Sequence, residues 1–188
     1  MEKKELRHFI KTQITEHSGE LSDLSQKICA CILNSSEFAD SKIIFSYMPL
    51  PDEVDVLPLV EAVFSAGKKL ALPRVNSADG TMDFYLFNNL ADLKNGISEG
   101  YCGILEPSNS VQKINPVQIK EKTLILVPGR AFTLKGERLG RGKGFYDSYL
   151  SPLCGKKNFC FAGVCFPFQL VQKIPFDSHD ILVHKIYF

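Results

Sequence analysis

The chain has 188 residues, 45% hydrophobic and 23% charged, with 22 basic side chains against 21 acidic ones for a net charge of +1. That length suits one well-buried domain and is short for two, and the composition excludes a disordered or fibrous protein. The near-neutral balance excludes a global field that would draw the protein to nucleic acid or a membrane surface, and no stretch approaches the roughly 18 apolar residues of a membrane span.

In chain order, residues 3–17 have the spacing of a charged helix, with Leu6, Phe9, Ile10 and Ile14 on one side. Residues 20–34 give a second helix, its apolar face formed by Leu21, Leu24, Ile28, Cys31 and Ile32. KIIFSYM (42–48) has the pattern of a buried strand and is ended by Pro49 and Pro51. Residues 55–67 predict a helix with Asp55 as N-cap, Pro58 tolerated in the first turn and Gly67 as the stop. KKLALPRV (68–75) and MDFYLF (82–87) follow as strands. Between 88 and 118 come a short helix and the loop-like EGYCGILEPSNS. KTLILVPG (122–129) carries the strongest buried-strand signal, followed by a long glycine-rich loop and a helix from Gly144 to Leu150. FCFAGVCF (159–166) and the terminal KIYF complete the strands. Repeated strand-helix-strand order with near-continuous apolar strands predicts a single α/β domain over residues 1–188. Its sheet is expected to be mostly parallel with helices on both faces, a Rossmann-like three-layer sandwich.

The opening MEKKELRHFIKTQ lacks the long apolar run of a signal peptide. Six cysteines (29, 31, 102, 154, 160 and 165) include no C-x-x-C pair. Buried, reduced thiols in a cytoplasmic protein are expected, rather than a metal site or disulfide framework.

Chemistry concentrates in ERLGRGKGFYDSYL (137–150), where three glycines alternate with two basic residues. From Arg130 to Lys143, five basic residues stand against Glu137 alone, a local excess of four positive charges. That patch matches a polyanion the size of a nucleotide and is too small for a DNA-binding face. In a parallel sheet, ligands sit at the carboxyl ends of strands, which is where this loop falls. Glycines let backbone approach a ligand closely, and successive free N–H groups make an anion site. A carboxylate beside a phosphate cradle repels the ligand unless a cation lies between, so Asp147 is a Mg²⁺ candidate. Neither familiar phosphate motif fits. For Walker A, Glu137 holds the first glycine position and Gly144 the Ser/Thr position, and for the dinucleotide fingerprint the third glycine is one residue early. On local physics alone a phosphate loop and a basic surface turn are evenly weighted.

The run VPGRAFTLKGERLGRGKGFYDSYL, Val127 to Leu150, resembles the 5-formyltetrahydrofolate cyclo-ligase family. Weaker segments match in order: KKELR at the start, YMPLPDEVDVLPLVEAVFSAGKKLALPRV (47–75), GILEP (103–107) and HD (179–180). The resemblance covers nearly the whole chain. It implies an enzyme that uses ATP and Mg²⁺ to convert 5-formyltetrahydrofolate into 5,10-methenyltetrahydrofolate. A formamide is a poor electrophile, and phosphorylating its oxygen makes both an iminium carbon and a leaving group. The protein would position the reactants and neutralise developing charge.

Residue by residue, the resemblance implies nucleotide contacts from Lys3 and Arg7, which lie i and i+4 on a helix, and from Arg138, Leu139, Gly140, Arg141, Gly142, Lys143, Gly144, Phe145 and Tyr146. Lys4 is close enough to Lys3 to blur that register. Lys143 and Arg141 are assigned to the transferring phosphoryl group, while Arg138 has the alternative of bracing the loop. Met48, Glu53, Tyr101 and Tyr146 are implied as folate contacts, with the Glu53 carboxylate facing the pterin's paired donors. Asp147 and Asp180 are implied as metal ligands. The bland alternatives are a solvated charged helix for Lys3 and Arg7, core packing for Met48 and Tyr146, and turn or capping acids for Glu53, Asp147 and Asp180. Phe145, Arg130, Thr133, Leu182 and His184 depart from the family pattern, and those in the tail put Asp180 in question more than the loop.

The expected partners are thus a small folate substrate, with no nucleic acid or membrane, in a monomer. Two rivals remain open on sequence: an ATP-dependent enzyme of the same scaffold with another substrate, and a non-catalytic nucleotide or folate binder.

Overall fold

The computed structural model describes residues 2–76, 79–99, 105–177 and 179–188. Alternation along the strands decides its layering. In β6 (Thr123–Pro128), Leu124 and Leu126 enter one core cluster while Ile125 and Val127 enter another, all fully buried. Such two-sided burial is what a near-continuous apolar run encodes. The same alternation splits Ile44 from Ile43 and Phe45 in β1 (Ile43–Phe45), and Leu70 and Leu72 from Ala71 in β2 (Lys69–Asn76).

These strands join β3 (Thr81–Phe87), β9 (Phe159–Val164) and β10 (Lys185–Tyr187) in a six-stranded sheet of order β10-β9-β6-β1-β2-β3. Five strands run parallel, and β3 returns antiparallel on β2, with Asn76 opposite Thr81. The short connection from β2 allows a hairpin return but not a crossover. One face is covered by α2 (Leu21–Leu33), α3 (Ser36–Asp40) and α4 (Leu59–Ser65), and the other by α6 (Phe145–Leu150). Helices therefore lie on both faces, as the strand pattern implies. Among the described residues no helix is long and apolar enough to cross a membrane.

Several local expectations are corrected. Helix α1 (Lys3–Glu16) buries Leu6, Ile10 and Ile14, but Phe9 is 45% exposed because it flanks the i, i+4, i+8 stripe. In α2 the buried cysteine is Cys29 rather than Cys31, since the face centres on Ser25, Ile28, Cys29 and Ile32. Asp55 does cap, accepting from Leu57 N at 3.0 Å, yet it holds a turn, and α4 begins only after Pro58. Ser35 caps the unforeseen α3 by accepting from Phe38 N. After α5 (Leu90–Gly96), β4 (Ile97–Glu99) pairs antiparallel with β5 (Leu105–Pro107), which lies within the stretch expected to be loop. The five described cysteines are free, and burial pushes Cys29 up to about 11 and Cys165 up to about 12, keeping both protonated.

The most consequential correction concerns the segment after β6. It is a ribbon, with β7 (Ala131–Phe132) antiparallel to β8 (Arg138–Leu139), and not an irregular loop. Phe132 is fully buried over two glycines: a Cβ at Gly163 would lie 2.5 Å from its ring, and one at Gly129 2.7 Å. The buried Gln169 amide donates to the Gly129 and Arg130 carbonyls, satisfying backbone groups that leave the sheet there. Helix α1 then packs on Ala131 and Leu139 of the ribbon. Gly163→Ala is expected to destabilise by about 1–3 kcal/mol through overpacking, whereas Gly19→Ala, whose Cβ meets open space, stays within about 0.5 kcal/mol. Urea unfolding of the two variants checks this.

Candidate functional site

A cavity of about 370 Å³ opens at the carboxyl ends of the parallel strands. Met48 reaches it from the segment after β1, Pro73 and Val75 from β2, and Pro128 and Gly129 from the end of β6. The glycine-rich turn and the first residues of α6 (Phe145–Leu150) also line it.

Arg138 is the brace of that lining. Its guanidinium is buried, donates to Asp147 Oδ2 at 2.8 Å and to the Pro128 carbonyl at 3.3 Å, and lies 5.7 Å from the Tyr146 ring centroid. Asp147 in turn accepts from Ile181 N at 3.2 Å. One chain of bonds therefore ties the ribbon, α6 and the C-terminal segment. Of the two roles considered for Arg138, bracing is the one its contacts fill. Tyr146 also lines the cavity, and burial, with the Glu53 charge second, pushes its phenol far above the usual range.

Between Arg138 and α6 the chain turns at Gly142 and Gly144, whose φ values of 102° and 71° suit glycine. Among the described residues the N–H groups of Arg141, Gly142, Lys143 and Gly144 have no hydrogen-bond partner. Arg7 reaches this turn from α1, donating from Nε to the Gly140 carbonyl at 2.9 Å. Lys143 is exposed, lines the cavity and makes no ion pair among the described residues.

Arg141 behaves differently. It crosses to the acidic turn after β1, where Nε donates to Glu53 Oε1 at 2.9 Å and Nη2 pairs with Asp52. Asp52 also pairs with Arg130 through Oδ2. Burial opposes ionisation of Asp52, but the bonds and charges of Arg141 and Arg130 outweigh it and hold the carboxyl below its usual value. Glu53 Oε2 accepts from Leu50 N at 3.1 Å. Sequence reasoning missed Asp52 and gave Arg130 no role. The acidic run PDEVD was visible, but nothing in it indicated which acid would meet the distant arginines.

Lys3 bridges Asp177 and Asp180, 2.7 Å from each. Burial again works against Asp180, but Lys3 Nζ and the Asp177 N–H both donate to its Oδ2 and lower its carboxyl overall. Asp177, His179 and Asp180 bring ligand atoms within 4.8 Å of one another. Asp177 and His179 had no place among the sequence candidates. Met48, Glu53, Asp147, Asp180 and the turn residues thus meet in one cavity, while Tyr101 lies outside the described residues.

The 5-formyltetrahydrofolate cyclo-ligase family matches over residues 1–188. The chain belongs to this family. It is 28% identical to the probable 5-formyltetrahydrofolate cyclo-ligase of Schizosaccharomyces pombe, over 96% of this chain and 91% of that one. It is 29% identical to the 5-formyltetrahydrofolate cyclo-ligase of Haemophilus influenzae, over 96% of each. The solved 5,10-methenyltetrahydrofolate synthetase of Aquifex aeolicus superposes with a TM-score of 0.80 at 34% identity, covering 99% of this chain and 89% of that one. The synthetase of Mycoplasma pneumoniae shares the fold with a TM-score of 0.73 at 24% identity, covering 100% and 98%.

For a cyclo-ligase, the cavity's chemistry fits a nucleotide with Mg²⁺. Among the described residues, N–H groups without partners and a lysine without an ion pair suit phosphate, and the carboxylates of Asp147 and Asp180 are hard oxygen donors of the kind Mg²⁺ takes. Both acids already carry a protein cation, Arg138 for Asp147 and Lys3 for Asp180, which orients their carboxylates.

Two predictions follow from these pairs. Arg138→Met should cost about 3–5 kcal/mol, because Asp147 is left charged and poorly solvated. Combining it with Asp147→Asn should recover about 0.5–3 kcal/mol of the summed loss, measured by a denaturant double-mutant cycle. The stability that Asp52 contributes should be complete above its ordinary value of 3.8 and vanish as pH falls through its lower folded value. Unfolding midpoints from pH 6 to 2 should therefore drop more shallowly in Asp52→Asn than in the parent.

Proposed function

We propose that the protein is an ATP- and Mg²⁺-dependent 5-formyltetrahydrofolate cyclo-ligase, acting as a single-domain monomer in the cytoplasm. The ligase class and the folate substrate rest on family membership and on the names of its relatives. The observation that supports the residue roles is the shared cavity, lined by the Glu53 carboxylate and by a basic turn in which, among the described residues, the N–H groups from Arg141 to Gly144 have no partner and Lys143 has no ion pair.

The formyl oxygen of 5-formyltetrahydrofolate attacks the γ-phosphorus of ATP, and the bond to the β–γ bridging oxygen breaks to release ADP. The formyl carbon becomes an iminium bearing a phosphate ester. N10 attacks that carbon and loses its proton, and inorganic phosphate leaves with the C–O bonding pair, giving the 5,10-methenyl cation. Lys143, Arg141 and the turn's N–H groups bind the phosphates and offset charge on the transferring group. Lys3 and Arg7 hold α1 against that subsite. Glu53 accepts from the pterin, with Met48 and Tyr146 lining its pocket; Tyr101 is assigned here on the family pattern. When bound, Mg²⁺ supplies charge neutralisation at the phosphates, and Asp147 and Asp180 would hold it. Arg138 keeps Asp147 in place.

Mixing the protein, MgATP and 5-formyltetrahydrofolate should raise the near-ultraviolet absorbance of the methenyl product only when all three are present. ATP turnover without folate dependence would point to another substrate, and binding of both ligands without product to a non-catalytic role. Lys143→Ala should lower kcat by about 100-fold or more while remaining folded. Glu53→Gln should raise the folate KM by about tenfold and the ATP KM far less. Equal effects on both constants would make Glu53 structural.

A further inference from the structure

Glu53, the acid assigned to the folate, is already in use. Its Oε1 is 2.9 Å from both Arg141 Nε and Arg141 Nη2, and its Oε2 accepts from Leu50 N. Arg141 belongs to the turn assigned to the phosphates, so one residue from each subsite is bonded directly to the other. A guanidinium and a pterin each present adjacent N–H donors in a plane, and both cannot occupy the same carboxylate edge. A nucleotide's phosphates carry more negative charge than a carboxylate and accept a guanidinium equally well. Asp52 meets Arg141 chiefly through Oδ1, its Oδ2 being taken by Arg130. Asp52 therefore shares its carboxylate between Arg141 and Arg130.

We propose that Arg141 couples the two subsites: nucleotide phosphates draw it away from Glu53, and the released carboxylate then receives the folate's donors, so ATP binding tightens folate binding. The inference rests on the function proposed above and goes beyond it by linking the ligands energetically through a named pair. By linkage, folate tightens nucleotide binding by the same factor.

Calorimetric titration of 5-formyltetrahydrofolate, alone and with saturating Mg²⁺ and a non-hydrolysable β,γ-methylene ATP analogue, tests this. The parent should bind folate about fivefold or more tightly with nucleotide present. Arg141→Met should bind folate without nucleotide at least as tightly as the parent, because Glu53 is freed, and its coupling factor should fall close to one. Arg141→Lys, which keeps the charge but loses the planar fork, should give an intermediate factor and decides the matter if the methionine variant does not fold. Thermal unfolding verifies both variants. A parent factor of one, or an undiminished factor in a folded Arg141 variant, overturns the coupling. If the parent binds and turns over both ligands with a factor of one, only this inference fails. If it binds neither, the proposed function fails with it.

Discussion

The packing of Phe132 over Gly129 and Gly163 underlies the rest of the site. A side chain at either glycine would fill the space its ring occupies, so the absence of two Cβ atoms lets the ribbon lie flat on the end of the sheet. With Phe132 seated, β8 places Arg138 between the Pro128 carbonyl and Asp147. The glycine-rich turn that follows is thereby suspended between two anchored points, the braced ribbon and α6. Among the described residues the N–H groups from Arg141 to Gly144 have no hydrogen-bond partner.

Electrostatics complete the cavity by distributing acids among cations. Asp147 has Arg138, Asp180 has Lys3, and Asp52 has Arg130 and Arg141. Most basic residues that look like ligand contacts in the sequence are therefore already engaged with protein carboxylates, and Lys143 is the turn's cation without an ion pair among the described residues. Such pairs orient the acids and offset the burial that works against Asp52 and Asp180. They also make any ligand that displaces a pair an effector of the group it releases.

The legible part of the fold was the part governed by local pattern. Apolar runs such as TLILVP mark strands buried on both faces, and the spacing of Leu6, Ile10 and Ile14 marks an amphipathic helix; both features survive in the structure. The ribbon was illegible because its two-residue strands are too short for period-two alternation to register, and its anchor lies in glycines 3 and 31 positions away from Phe132. The antiparallel turn of β3 depends on a connection length, and the β4–β5 pair on three-residue strands, so neither leaves a periodic trace.

The sequence by itself determined the α/β class, the parallel core, and the concentration of glycine and positive charge after β6, because these depend on residue type and spacing alone. It also carried the family resemblance, since the longest matching run is continuous. Only the tertiary structure decided which charge meets which. Arg138 braces, Arg141 spans to Asp52 and Glu53, Lys3 joins Asp177 and Asp180, and Lys143 has no ion pair among the described residues. Ion pairs act through space within a few ångströms, and these partners are separated by up to 177 positions along the chain. No local signal reports a distance that folding alone creates.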